Sequence, residues 1–252
     1  MSFAGRLVGR YRERYEGCGP TLATEKLAGD GYEVDHETLR RWLIAEGRWR
    51  RARKRDKHRT RRPRKEHCGE LVQMDGSHHP WFGEGHPSAC LMNMVDDATG
   101  ATMALMAEDE TTEVAMRLLW RWIERYGIPR ALYTDKKNVV VTDREPTVEE
   151  QLAGEEPMTA FGKACTKLGI ETLVAHSPRA KGRVERSTGV YQDRLVKEVR
   201  LRGVTPRSRE RTARSQQASQ RHSTPRLSAS QRRPTDFHRR APTGLNLAEV
   251  FC

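Results

Sequence analysis

Three carboxylates, Asp75, Asp135 and Glu185, stand where the local pattern would let them act together. Asp75 closes the short apolar run Leu71-Val72-Gln73-Met74, and Asp135 closes Ala131-Leu132-Tyr133-Thr134. Each run reads as a strand ending on an acid. A carboxylate in such a place costs burial unless a cation compensates it. Glu185 falls in the first turn of a helix expected from about Lys181 to Leu201. Lys181, Thr188, Gly189 and Gln192 share its polar face, while Val184, Tyr191, Leu195 and Val199 form an apolar face suited to a sheet. That geometry aims Glu185 across the strand ends. Three convergent carboxylates suit hard, oxygen-seeking ions such as Mg²⁺ or Mn²⁺. Two such ions, about 3.5–4 Å apart, clamp the attacking and leaving oxygens of an in-line phosphoryl displacement.

Other groups compete for that role. Asp96 and Asp97 sit in Asp-Asp-Ala-Thr-Gly, which reads better as a hairpin turn. The acids of residues 143–156 read as a solvated loop. His78 and His79 are a transition-metal alternative, but adjacent residues of a strand point to opposite faces.

The elements that must position these acids follow from residues 69–204. Ala89 to Val95 is a second strand, Asp96 to Gly100 a turn, and Ala101 to Met106 a third strand, paired as a hairpin. Thr111 or Thr112 caps a helix whose stripe is Val114, Leu118, Trp122 and Tyr126, and Gly127-Ile128-Pro129 ends it. Strand Ala131–Asp135 follows, then a helix from Met158 to Leu168, a capping Gly169 and a strand from Ile170 to Ala175. The order βββαβαβα predicts an α/β mixed sheet flanked by helices.

Two basic arms flank this core. Residues 48–65 hold twelve Lys/Arg against Asp56, and residues 200–240 hold twelve Arg against Glu210 and Asp236. The net charge is +12, so the remainder is acidic. Basic arms suit a phosphate backbone, because each neutralised phosphate releases counterions; the bland alternative is a solvated linker and a solvated tail. The run 48–68 self-repels and extends as a linker. Its Arg50, Arg51, Arg53, Lys54 and Arg55 are candidate DNA contacts.

Residues 1–47 read as a small all-α module. Phe3 to Tyr15 carries Leu7, Val8, Tyr11 and Tyr15 at helical spacing, and Thr21 can cap a second helix, Leu22 to Leu27. After the turn Gly29-Asp30-Gly31-Tyr32, Asp35 or His36 opens a third helix with Leu39, Trp42 and Leu43 on one face and Arg40 and Arg41 outward. Two helices, a Gly-bearing turn and a basic face predict a helix-turn-helix, with Arg40 and Arg41 as DNA contacts; a generic three-helix packing module is the alternative.

No run reaches the roughly 18 apolar residues of a membrane span, and no signal-peptide pattern follows Met1. Five cysteines without a Cys-x-x-Cys pair argue against a disulfide framework or zinc ribbon and for a reducing cytoplasm.

Three blocks carry a family resemblance: Gln73-Met74-Asp75-Gly76-Ser77, Leu132-Tyr133-Thr134-Asp135, and Ser177-Pro178-Arg179-Ala180-Lys181-Gly182-Arg183-Val184-Glu185-Arg186. They resemble the catalytic blocks of integrase-type DDE transposases, in particular those of bacterial insertion sequences. The resemblance runs from about residue 15 to 204. It implies an RNase H-like fold, a helix-turn-helix for the element's ends, two divalent ions and no small-molecule cofactor. It also implies a homo-oligomer on double-stranded DNA in the bacterial cytoplasm, associated with the nucleoid. Hydrolysis at the element's end would be followed by attack of the freed 3′-hydroxyl on target DNA, with Lys181, Arg183 and Arg186 as DNA contacts.

The chain departs from the pattern at three places. Residues 143–156 are an insert, the N-terminal module looks truncated, and residues 205–231 lose the resemblance that 234–252 regain. The segment 205–233 is expected to be disordered, since Leu227 is the one large aliphatic of 205–231. Two compensating frameshifts in a decayed copy would leave such a pattern; a basic tail that folds on DNA is the alternative. A DNA-binding protein whose core merely dimerises, and an RNase H-like nuclease unrelated to transposition, are the other functional readings.

Overall fold

The computed structural model describes residues 2–50, 63–83, 85–135, 157–175, 182–204, 235–242 and 247–250, with residues 145, 147 and 151. The side chains of Asp135, Val174, Ala175, Leu247 and Ala248 lie outside that description. So do Arg51, Arg53, Lys54, Arg55, Lys181, the segment 205–234 and most of 143–156. The chain divides into two compact units: residues 1–60 with 197–204, and residues 61–196 with 205–252.

The N-terminal unit is built from α1 (Phe3–Arg10), a π-helical turn (Tyr11–Tyr15), α2 (Pro20–Gly29) and α3 (His36–Ala45). Its core is Leu7, Val8, Tyr11, Tyr15, Leu22, Leu27, Leu39 and Leu43, with Leu201 against it. Asp35 caps α3 by accepting from the Glu37 and Thr38 N–H groups, as expected. Thr21 does not cap α2. The cap is Gly19 and Pro20 takes the first helical position, where its fixed φ fits and its missing N–H is not needed. Gly31, at φ +86°, turns the chain out of α2. Its N–H reaches Ala28 O, and Tyr32 N–H reaches Leu27 O, a paired closure that hands the chain to α3.

The second unit is a five-stranded mixed sheet in the order β3-β2-β1-β4-β5, the RNase H-like arrangement. Strands β1 (Val72–His79), β2 (Ala89–Asp96) and β3 (Thr102–Ala107) are an antiparallel meander, and β4 (Ala131–Asp135) and β5 (Glu171–Ala175) add in parallel. Helix α4 (Thr112–Tyr126) buries Val114, Leu118, Leu119, Trp122 and Ile123 against one face. Thr111 caps it and Gly127 ends it. Helix α5 (Ala160–Lys167) precedes β5, and α6 (Gly182–Leu201) follows it, with its last residues in the N-terminal unit.

One correction concerns the site. β1 does not end at Asp75. Its ladder with β2 continues through Gly76↔Met92 to His79↔Ala89, so Asp75 lies mid-strand.

Residues 235–242 cross this unit as a strap. Phe237 N–H donates to Cys68 O, and Ile128 and Arg239 exchange backbone hydrogen bonds. The Arg239 guanidinium caps the Leu168 and Gly169 carbonyls, and His67 stacks on Phe237. Trp122 Nε1–H donates to His238 Nε2 at 3.1 Å. The proton of His238 is thereby assigned to Nδ1, which lies 2.7 Å from Asp236 Oδ1. Gly69 is needed beneath, because a Cβ there would overlap the His238 ring.

Candidate active site

The alternation of β1 puts Gln73, Asp75 and Ser77 on one face. Helix α6 touches that face on both sides of Asp75. Val184 N–H donates to Gln73 Oε1 at 3.2 Å, and Gln192 Nε2 donates to Ser77 Oγ at 3.2 Å. Glu185, Thr188 and Gln192 line one side of α6, so Glu185 begins the stretch of helix that runs alongside Asp75. Val184, Tyr191 and Leu195 are fully buried, as the apolar face required.

Asp135 approaches through the sheet. β1 and β4 pair as Val72↔Leu132 and Gln73↔Tyr133. That pairing reaches to two residues before Asp75 on β1 and two before Asp135 on β4. On the other side, Asn93 stands directly opposite Asp75. Asp75 is half-buried and Glu185 is exposed.

A divalent cation fits this donor set: carboxylate oxygens are the ligands Mg²⁺ and Mn²⁺ prefer. The surroundings are polar as well. The Asn93 amide nitrogen and the Thr188 hydroxyl are buried without a hydrogen-bond partner among the described residues. Asn93 stands opposite Asp75 and Thr188 one turn along α6 from Glu185, and hydrated ions would bring water to such groups.

Two mixed clusters are less suited. His78, Cys90 and Glu110 bring ligand atoms within 4.8 Å of one another, as do Cys68, Asp236 and His238. Burial, then the Glu110 charge, pushes the Cys90 thiol up to about 11. Burial, then Asp96 and Asp236, pushes Cys68 up to about 12. A thiolate is the form that binds metal, so an ion at either cluster would have to displace a proton held against that shift. The two ring nitrogens of His238 are also already hydrogen-bonded.

The hairpin aspartates divide their work. Asp96 does what a turn residue should, accepting from Thr99 N–H, Thr99 Oγ1–H and Gly69 N–H. Asp97 does more than a turn requires. It is wholly buried and accepts from Lys65 N–H, Gln73 Nε2 and Arg183 Nε. Gln73 and Asp97 were not among the expected site residues. The available signal was a second acid in a turn that needs one, and an amide inside an apolar strand.

Of the expected DNA contacts, Arg41, Arg50 and Arg186 are exposed. Arg40 pairs with Glu37 one turn away. Arg183 is held inward at 2.6 Å from Asp97.

The chain matches no protein-family model. Over 195 residues, 77% of its length, it is 42% identical to putative transposase y4bF of Sinorhizobium fredii (strain NBRC 101917 / NGR234). The chain is a homologue of bacterial transposases. It is also 36% identical over 140 residues to the transposase for insertion sequence IS1202 of Streptococcus pneumoniae. This transposase homologue spans 42% of the Sinorhizobium relative and 29% of the Streptococcus one. Among solved structures it is similar to the HTLV-2 integrase catalytic core domain in complex with magnesium. That likeness has 19% identity and a TM-score of 0.43, over 61% of this chain and 84% of that one. The simian T-cell lymphotropic virus intasome in complex with a PP2A regulatory subunit gives 19% identity and a TM-score of 0.45, over 85% of this chain and 67% of that one.

Proposed function

We propose that the chain is a DNA transposase that cuts and joins DNA strands with two divalent ions held by Asp75, Asp135 and Glu185. The observation that carries this reading is the parallel pairing of β1 with β4 up to Gln73↔Tyr133, two residues before Asp75 and Asp135, beside a helix with Glu185 in its first turn, in a homologue of transposases. Bound there, Mg²⁺ or Mn²⁺ supplies Lewis acidity at the attacking and leaving oxygens. The chain's own part is to hold. β1 and β4, paired through their backbones just before the two aspartates, carry two of the carboxylates, and α6 brings the third from outside the sheet. Asp35-capped α3 presents Arg41 outward, and with Arg50 and the basic run it grips the backbone of the element's end. Arg186 and Lys181 contact DNA beside the carboxylates, and the protein works as a homo-oligomer on DNA.

The test is Mg²⁺-dependent nicking of duplex DNA by the full chain. Asp75→Asn should lower nicking by on the order of 10³-fold, several kcal/mol of lost charge stabilisation, and leave duplex binding intact. Equal nicking by the variant and the parent sinks the assignment. A second reading, a relic that binds DNA without cutting it, is favoured by the arginine-rich composition of 205–231. Binding without nicking in the parent chain selects it.

A further inference from the structure

Glu185 must be delivered by a helix, and the hydrogen bonds at the base of that helix lead to one buried carboxylate. Asp97 Oδ1 accepts from Arg183 Nε at 2.6 Å and from Gln73 Nε2 at 2.8 Å. Asp97 Oδ2 accepts from the Lys65 backbone N–H at 2.7 Å. Gln73 is 1% exposed, and its amide has two unlike ends. Because Asp97 takes the NH₂ end, the carbonyl end is left facing α6, where it accepts from Val184 N–H. That N–H is one of the four that a helix start leaves unpaired. The residues on either side of this contact are Arg183, tied to Asp97 directly, and Glu185.

The basic segment before the core ends on the same group. Arg64 Nη1 donates to the Asp97 and Ala98 carbonyls at 3.1 and 3.2 Å. Asp97 N–H is bound in turn to Leu71 O, at the entry to β1. One buried residue thus touches the end of the basic run, the strand that carries Asp75 and the turn that carries Glu185.

We propose that Asp97 is a positioning residue for the candidate metal site: with Gln73 and Arg183 it fixes the first turn of α6, and so Glu185, and through Lys65 it ties that placement to the end of the basic segment. Asp97 touches neither substrate nor metal. It acts by orienting the Gln73 amide and holding Arg183. An Asn in its place offers one acceptor where two are used, turns a donor toward either Lys65 N–H or Arg183, and removes the negative charge that faces Arg183 Nε.

The inference rests on the metal-site reading, so the test separates the two. Mn²⁺ affinity of the full chain is measured by paramagnetic titration for the parent, Glu185→Gln, Asp97→Asn and the double variant. Amide hydrogen exchange is followed at Val184 and in α4. Each single change should weaken Mn²⁺ binding by about 10–100-fold, the usual cost of losing a ligand's outer partner. The double variant should be no weaker than the weaker single, because both act through one group. Exchange at Val184 should rise at least about tenfold in Asp97→Asn, with α4 still protected; such unequal protection is what a local opening gives.

Parent-like affinity in Asp97→Asn beside a weakened Glu185→Gln overturns the inference alone. Losses that multiply in the double variant do the same. Unchanged affinity in Glu185→Gln overturns the metal-site reading and the inference with it. Should Asp97→Asn lose protection in α4 too, Arg183→Lys replaces it, keeping the cation while removing Nε. It should weaken Mn²⁺ binding in the same direction, and parent-like affinity overturns the proposal.

Discussion

The two units bury different things. The helices α1 to α3 close over Leu7, Leu27, Leu39 and Leu43, all fully buried; Glu198, from the end of α6, is the charged side chain buried in this unit among the described residues, and the other ionic groups keep to the rim. There Asp30 gathers Arg10, Arg14 and the Tyr15 hydroxyl. The sheet unit takes Asp96 and Asp97 out of water entirely and surrounds them with donors. A buried ion pair adds little net stability over a well-packed apolar group, yet removing one partner is costly. An ionic interior is therefore weak as glue and strong as a fixing device. It occurs here at the base of the helix that carries Glu185. In α1 to α3 apolar packing closes the core, and the charges of those helices stay at the exterior.

The largest expected effect tests the exterior. Duplex affinity of the full chain should fall by on the order of 10³–10⁵-fold between 50 and 200 mM salt, if the basic run makes about 6–10 phosphate contacts. Affinity measured by fluorescence anisotropy that barely moves over that range would break the assignment of the N-terminal arm to DNA.

The next effects test the interiors against each other. Asp97→Ala should destabilise the sheet unit by about 3–5 kcal/mol, the cost of stranding a buried cation. Leu39→Ala should destabilise the helical unit by about 2–5 kcal/mol, the cost of a cavity. Denaturant melts followed by amide exchange assign each loss to its unit. A mild Asp97→Ala, with α4 and β2 protection intact, would show the buried pair to be dispensable.

The smallest effect is a pH dependence of the rim. The Tyr15 hydroxyl holds the Asp30 carboxyl below its usual value; burial opposes it, and Arg10 adds to the lowering. A depressed folded value contributes stability that is present above the unfolded value, near 3.9. It is lost as pH falls below that point, through the folded one. Side-chain NMR signals of Leu39 and Leu43 should therefore stay native from pH 7 to about 5 and weaken below about pH 4. Loss that begins near pH 6 would point to a histidine instead.

What was legible in the sequence was local. Asp35 and Thr111 cap the helices they precede, Gly127 ends α4 and Gly169 follows α5, because each signal is spent within a few residues. The β2–β3 hairpin was legible for the same reason. The extent of β1 was not. Gly76 to His79 looks like a way out of a strand, and its ladder partners lie in the first half of β2. Asp97 was hidden likewise: its donors Gln73 and Arg183 are 24 and 86 residues away, and a turn explained it well enough. Of the candidate site, the two strands that carry Asp75 and Asp135 were legible as short apolar runs, each with an acid behind it. The hold on Glu185 depends on side chains that meet only when the sheet is assembled.

The strap of residues 235–242 sets a condition on the gene as well as on the protein. The side chains of its Phe237, His238 and Arg239 meet the His67 ring, the Trp122 indole and the Leu168 and Gly169 carbonyls, over a Gly69 with no room for a Cβ. Shifted by one nucleotide, the same DNA would not spell this run of residues. Insertions and deletions between codons 205 and 234 thus leave the clamp standing only when their lengths sum to a multiple of three.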